Sequence, residues 1–141
     1  MAEITGKYLG NLRIKCRDES NGSELELESM FENFGGNSAF SPTDILALSL
    51  ASCALNTIAI YCRLREIDID GASFTVDKTM ETKPNRVAKI RAAFEFPAKG
   101  YTEKERAGIE HSLRSCPVHN SLSENMEQEF IFRWLDDTEK K

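Results

Sequence analysis

Apolar and polar residues alternate through the first thirty positions, then yield to a long apolar run, and both periods recur in the second half of the chain. Residues 4–9, 12–18 and 24–30 read as short strands, with Leu25, Leu27 and Met30 marking one face of the third. Asn21-Gly22 lies between the last two, and Asn-Gly is a strong hairpin signal because both turn positions tolerate positive φ. The first third is therefore a predicted meander. Gly35-Gly36-Asn37-Ser38 reads as a flexible connection. Ser41 is a good helix N-cap, Pro42 suits the first helical position, and Asp44 at the third favours the positive helix end. With few breakers before Gly71, the helix is predicted over residues 42–66, about 37 Å at the ordinary rise, long enough to be a spine on which sheets pack.

Beyond Gly71 strand patterning returns. Residues 73–82, carrying Phe74 and Val76, and 86–96, carrying Val87, Ile90, Ala92, Phe94 and Phe96, form a second predicted hairpin through Lys83-Pro84-Asn85. Thr102 and Glu105 make a capping box that opens a helix to about Arg114; Pro117 opens another to about Glu127. Residues 129–135 close as a strand, and 136–141 read as a frayed tail. The predicted order is βββ-α-ββ-α-α-β, an α+β domain with helices against antiparallel sheet.

Composition narrows the function classes. A chain of 141 residues with 40% apolar and 29% charged residues is expected to be one domain over residues 1–141. Its net charge of −5 and the lack of any Lys/Arg cluster longer than two residues argue against nucleic acid and anionic lipid as partners. The N-terminus lacks a basic stretch followed by an apolar run, so a cytoplasmic location is expected. Residues 45–62 form an uncharged stretch of 18 residues, the lower limit of a membrane span. Because it contains Ser49, Ser52, Asn56 and Thr57 and lies between strand-like segments, it is read as a central helix buried all round.

In a reducing compartment Cys16, Cys53, Cys62 and Cys116 are expected to be free, catalytic or metal-bound rather than permanent staples. Their spacings match no paired zinc-knuckle pattern, and the only histidines are His111 and His119. Cys53 sits among small and apolar neighbours, which alone would hold it as a thiol, so a cation from elsewhere, most plausibly an Arg, is needed to activate it. Cys116 precedes Pro117 at a predicted helix start, where unpaired N–H groups should lower its pKa, and His119 falls within the same turn. Cys16 and Cys62 are taken as structural. A cysteine hydrolase with His119 or His111 as base is a rival reading, and a non-catalytic module that binds a small apolar ligand along the long helix, with the cysteines redox-sensing or idle, is another.

Three separated stretches carry a resemblance. Phe40-Ser-Pro-Thr-Asp-Ile-Leu-Ala-Leu-Ser-Leu-Ala-Ser-Cys53, then Lys78-Thr-Met-Glu81 with Pro84-Asn-Arg-Val-Ala-Lys-Ile90, then Cys116-Pro-Val-His-Asn-Ser-Leu122 together resemble the OsmC/Ohr family of osmotically inducible and organic-hydroperoxide-resistance proteins. The resemblance implies an OsmC-like α+β fold, an intertwined homodimer, and hydroperoxide reduction with no cofactor, neither metal nor flavin. It implies Cys53 as the peroxidatic cysteine, Cys116 as the resolving one, and Arg13 as the cation beside Cys53, with Arg17 as second choice. The implied reductant is a dithiol, a lipoylated protein in the hydroperoxide branch. Hydroperoxide-specialised members carry a Glu ten residues before the cysteine to brace that Arg; this chain has Thr43 there and Asp44 next to it, nearly opposite Cys53 on an ideal helix.

Overall fold

The three predicted N-terminal strands form as an antiparallel sheet: β1 (Ile4–Gly10), β2 (Arg13–Asp18) and β3 (Glu24–Glu28), in the order β1-β2-β3. The structure, a computed structural model, describes residues 3–31 and 34–136; most of the predicted frayed tail lies outside them. By contacts the chain divides into two compact units, residues 1–46 and 47–141.

In the first unit, register decides which side chains share a face. Gly6, Cys16 and Leu25 align across the strands, as do Tyr8, Ile14 and Leu27; the alternate rows are Thr5–Arg17–Glu24 and Lys7–Lys15–Glu26. One face is thus apolar and the other is laced with ion pairs, including Arg17–Glu24 at 3.4 Å and Lys15–Glu24 at 3.4 Å. The β2–β3 connection departs from the expected tight Asn-Gly turn. Asp18 and Ser23 close a wider loop in which Gly22 takes φ +79°, while the Asn21 side chain accepts the Ser23 N–H. A short hairpin absent from the predicted order follows, β4 (Met30–Phe31) with β5 (Phe34–Gly35). The helix start is as expected: Ser41 Oγ accepts the Asp44 N–H and Asp44 accepts the Ser41 N–H, both at 3.0 Å, a reciprocal cap.

Helix α1 (Pro42–Leu64) leads into the second unit. It stops two residues before the predicted end because Glu66 adopts φ +57°, and the Ile67 and Glu66 N–H groups return to the Cys62 and Arg63 carbonyls, a Schellman closure without glycine. Strands β6 (Ser73–Glu81) and β7 (Arg86–Phe96) form the expected hairpin. Helix α2 (Glu103–Ser112) starts on the Thr102–Glu105 capping box and runs into a 3₁₀ turn, Leu113–Ser115. Helix α3 (Pro117–Ser121) is far shorter than predicted, because Ser123 draws the Asn125 N–H to its hydroxyl and the Met126 N–H to its carbonyl. That turn releases β8 (Glu127–Trp134) two residues early, and β8 pairs with β7 in parallel, where an antiparallel sheet was expected.

The core of the second unit joins Ala51, Ala54, Ile58 and Cys62 of α1 to Ala92, Phe94 and Phe96 of β7 and to Ile109, Leu113 and Cys116. Phe94 and Phe96 face their β8 partners Phe132 and Trp134 at ring separations of 5.5 and 4.5 Å. Gly108 lets α2 approach α1, since a Cβ there would overlap the Tyr61 hydroxyl. The expectation that α1 is buried all round is corrected. It has the length and hydropathy of a membrane span, but its packing neighbours cover one stripe, and Asn56, Ile60 and Leu64 are exposed.

Candidate active site

Helix geometry sets the accessibility of Cys53. At about 100° per residue, Cys53 falls at the margin between the buried stripe of Leu50 and Ala54 and the exposed stripe of Asn56 and Ile60. It is half-buried, packed against the core on one side and open on the other. Cys116 arrives from the opposite direction. The 3₁₀ turn closes with its N–H on the Leu113 carbonyl at 2.9 Å, and Pro117 then occupies the first helical position, where a missing N–H leaves no bond unmade. Cys116 is therefore the N-cap of α3: its Sγ accepts the His119 N–H at 3.4 Å, and the residue is fully buried. The Cys53 sulfur lies within hydrogen-bonding reach of it. Two cysteines widely separated in sequence thus meet inside the second unit.

The expected fall in the Cys116 pKa is reversed. Burial pushes the thiol up, the His119 and Val118 N–H groups oppose this only in part, and the adjacent Cys53 sulfur raises it further by accepting from the protonated thiol. At a buried N-cap, loss of hydration outweighs the amide donors that the sequence pattern emphasises. Cys116 is therefore held toward its protonated form. Cys62 is buried, its thiol likewise pushed up by burial, and Cys16 lies half-buried on the apolar face of the first sheet.

Beneath Cys116, β8 holds α3. Gln128 donates its side-chain N–H to the His119 carbonyl at 3.2 Å, which turns its Oε1 toward His119 Nδ1 at 2.6 Å. The ring also meets Phe130 edge-on at 5.5 Å. His111 stands exposed in the last turn of α2, its carbonyl accepting the Leu113 N–H. No sequence motif marks Gln128; it becomes visible only through the strand that places it.

Arg13 and Arg17 lie in the first unit, on the polar face of its sheet. Arg13 is held by Glu26 at 2.8 Å, Glu28 at 3.1 Å and Ser38 at 3.1 Å; Arg17 pairs with Glu19 and Glu24. Glu28 is buried, and its carboxylate accepts both the Ser38 hydroxyl, at 2.7 Å, and its N–H, at 3.0 Å, contacts that with Arg13 hold its pKa below the ordinary range. The Gly35-Gly36 pair is a close-approach site rather than a flexible joint. A Cβ at Gly35 would overlap the Ser29 carbonyl, and one at Gly36 would come 2.6 Å from Glu28 Oε2. Asp44 is engaged in the Ser41 cap, so the carboxylates that brace Arg13 come from β3 and not from the helix. The sequence did carry that signal, since Arg13-Ile-Lys-Cys-Arg17 opposite Glu24-Leu-Glu-Leu-Glu28 sets bases against acids. Among the described residues, no group of three or more His, Cys, Asp or Glu is placed to hold a metal ion.

Comparison with known proteins gives one family and several solved structures of like fold. The family model described as OsmC-like protein matches residues 35–130. A protein of Psychrobacter arcticus named for osmotic stress induction and detoxification response is 34% identical, with a TM-score of 0.88 over 94% of this chain and 96% of that one. The organic hydroperoxide resistance protein OsmC of Legionella pneumophila, at 18% identity, covers 94% of this chain and 96% of its own with a TM-score of 0.70. The organic hydroperoxide resistance protein OhrB of Bacillus subtilis, at 13% identity, gives 0.66 over 94% of this chain and 98% of its own. At those lower identities the likeness is one of fold. No curated protein matches the sequence.

Proposed function

Because the chain belongs to the OsmC-like family, we propose that it is a thiol-dependent peroxidase that reduces organic hydroperoxides, and hydrogen peroxide as a second substrate, in oxidative-stress defence. The observation that carries this reading is the pairing of a half-exposed Cys53 sulfur with a buried, proton-holding Cys116 thiol. The two sulfurs lie within reach of one another and differ in exposure.

In the first step Cys53 gives up its thiol proton and the thiolate attacks the distal peroxide oxygen; the O–O bond breaks, the leaving alkoxide takes up that proton and departs as the alcohol, and Cys53 becomes a sulfenic acid. In the second, the Cys116 sulfur attacks that sulfenic sulfur; the S–O bond breaks, the Cys116 proton leaves with the hydroxyl as water, and a disulfide forms. A dithiol of the lipoyl class then takes up the disulfide by exchange, which restores both thiols. The cation that favours the Cys53 thiolate is proposed to be Arg13, whose guanidinium is fixed by Glu26 and Glu28.

The working form is proposed to be a homodimer in the cytoplasm. Supporting it is the apolar face of the first sheet, where Ile4 is 77%, Tyr8 61% and Leu25 41% exposed. Burying such side chains fully yields about 1.5–3 kcal/mol each, so covering this face with a second copy is strongly favourable. The test is consumption of cumene hydroperoxide and of hydrogen peroxide with a dithiol present. Turnover that is lost in Cys53→Ser supports the reading, and no turnover with either oxidant contradicts it.

A further inference from the structure

A fully buried thiol can resolve a sulfenic acid only if its sulfur is held on the line of attack, and α3 is too short to hold itself. It has five residues, and its cap is Cys116 itself. Asn120 donates its side-chain N–H to the Arg114 carbonyl and Phe130 meets the His119 ring edge-on, but the hydrogen bonds that join this turn to β8 come from one side chain. Gln128 grips His119 at two points, main-chain carbonyl and ring Nδ1, and the His119 N–H in turn rests on Cys116 Sγ. The donor at the His119 carbonyl must be the Gln128 amide N–H, so Oε1 faces the ring and Nδ1 carries the hydrogen. The parallel β7–β8 register, with Gln128 beside Ile90 at 0% exposure, seats the clasp against the core.

We propose that the Gln128–His119 clasp is the positioning device of the resolving step: it fixes the first turn of α3 so that Cys116 Sγ stays aimed at Cys53. This rests on the reading of Cys116 as resolving cysteine. Neither residue touches the peroxide, and neither takes part in the first step. Both act through the placement of Cys116, and what they control is the partition of Cys53 sulfenic acid between disulfide and further oxidation to sulfinic acid.

The test follows Cys53 by rapid-quench mass spectrometry after addition of cumene hydroperoxide to the reduced, full-length protein. In Gln128→Ala and His119→Leu, oxidation of Cys53 is expected to keep its rate, the Cys53–Cys116 bridge to form about tenfold or more slowly, and sulfinic acid to accumulate under excess oxidant. His119→Asn supplies an amide N–H in place of Nδ1–H and is expected to restore the bridge rate to within about twofold. Gln128→Glu keeps an acceptor, loses the donor to the His119 carbonyl and adds a negative charge, and it serves as a second variant, also slowed in bridging, should Gln128→Ala fail to fold. Bridge rates that match the wild type in folded Gln128→Ala or Gln128→Glu would overturn the proposal. So would equal loss in His119→Asn and His119→Leu, which would assign the ring to proton transfer. A wild-type protein that oxidises Cys53 without ever forming the bridge removes the resolving role itself and is distinguishable from either result.

Discussion

The two units of this chain solve the problem of apolar surface in opposite ways. The second buries its apolar side chains in a core that joins Ala51, Ala54 and Ile58 through Phe94 and Phe96 to Ile109 and Leu113. In the first, the only buried side chain among the described residues is a carboxylate, Glu28, while Ile4, Tyr8 and Leu25 stay open to solvent. A three-stranded sheet whose apolar face stays largely exposed gains little from folding alone. On the proposed function, the second unit holds the reacting sulfurs and the first offers the surface that a second copy covers.

The sharpest way to test that division is to remove the nucleophile. Cys53→Ser is expected to abolish hydroperoxide turnover, by more than about a thousandfold in initial rate, while the circular dichroism spectrum and melting temperature stay close to the wild type. Next comes packing. Phe94→Ala, at 0% exposure in the aromatic core, should cost about 3–5 kcal/mol in denaturant unfolding, whereas Tyr8→Ser should leave a dilute single chain's stability nearly unchanged and instead raise the dissociation constant for self-association, read by sedimentation. Equal effects of the two on unfolding would break the comparison.

A smaller effect asks whether the units act together. Arg13→Ala is expected to slow Cys53 oxidation by about tenfold to a hundredfold without altering the bridging step; an unchanged rate would confine the chemistry to the second unit. The smallest effect is a pH dependence. Glu28 has its pKa lowered in the folded state, so its contribution is present above the ordinary carboxylate value and is lost as pH falls through the depressed one. Acid titration followed by amide exchange in β2 and β3 should therefore show loosening below about pH 4.5 that is missing from Glu28→Gln.

Much of this arrangement was legible in the chain. Alternation gave β1 to β3 and the β6–β7 hairpin, and both reciprocal caps, Ser41–Asp44 and Thr102–Glu105, stand where the residue types demanded. Cys53 and Cys116 were singled out by their surroundings and by motif. What escaped depends on neighbours remote in sequence. The rise in the Cys116 pKa comes from burial that local sequence does not encode, and the clasp by Gln128 exists only because β8 runs parallel to β7. The early stop of α1 at Leu64 was hidden because Glu66 fills a left-handed position normally signalled by glycine. Gly35 and Gly36 looked like slack and are instead the space that Ser29 and Glu28 occupy.

The most direct measurement of the central claim is the mass of the wild-type protein after one equivalent of an organic hydroperoxide, alkylated under denaturing conditions and digested. A cross-linked peptide joining Cys53 to Cys116 within a single chain, with Cys16 and Cys62 alkylated, is the predicted product. Cys53 found alkylated and unoxidised, or joined to a cysteine of another copy while Cys116 remains free, would contradict the account.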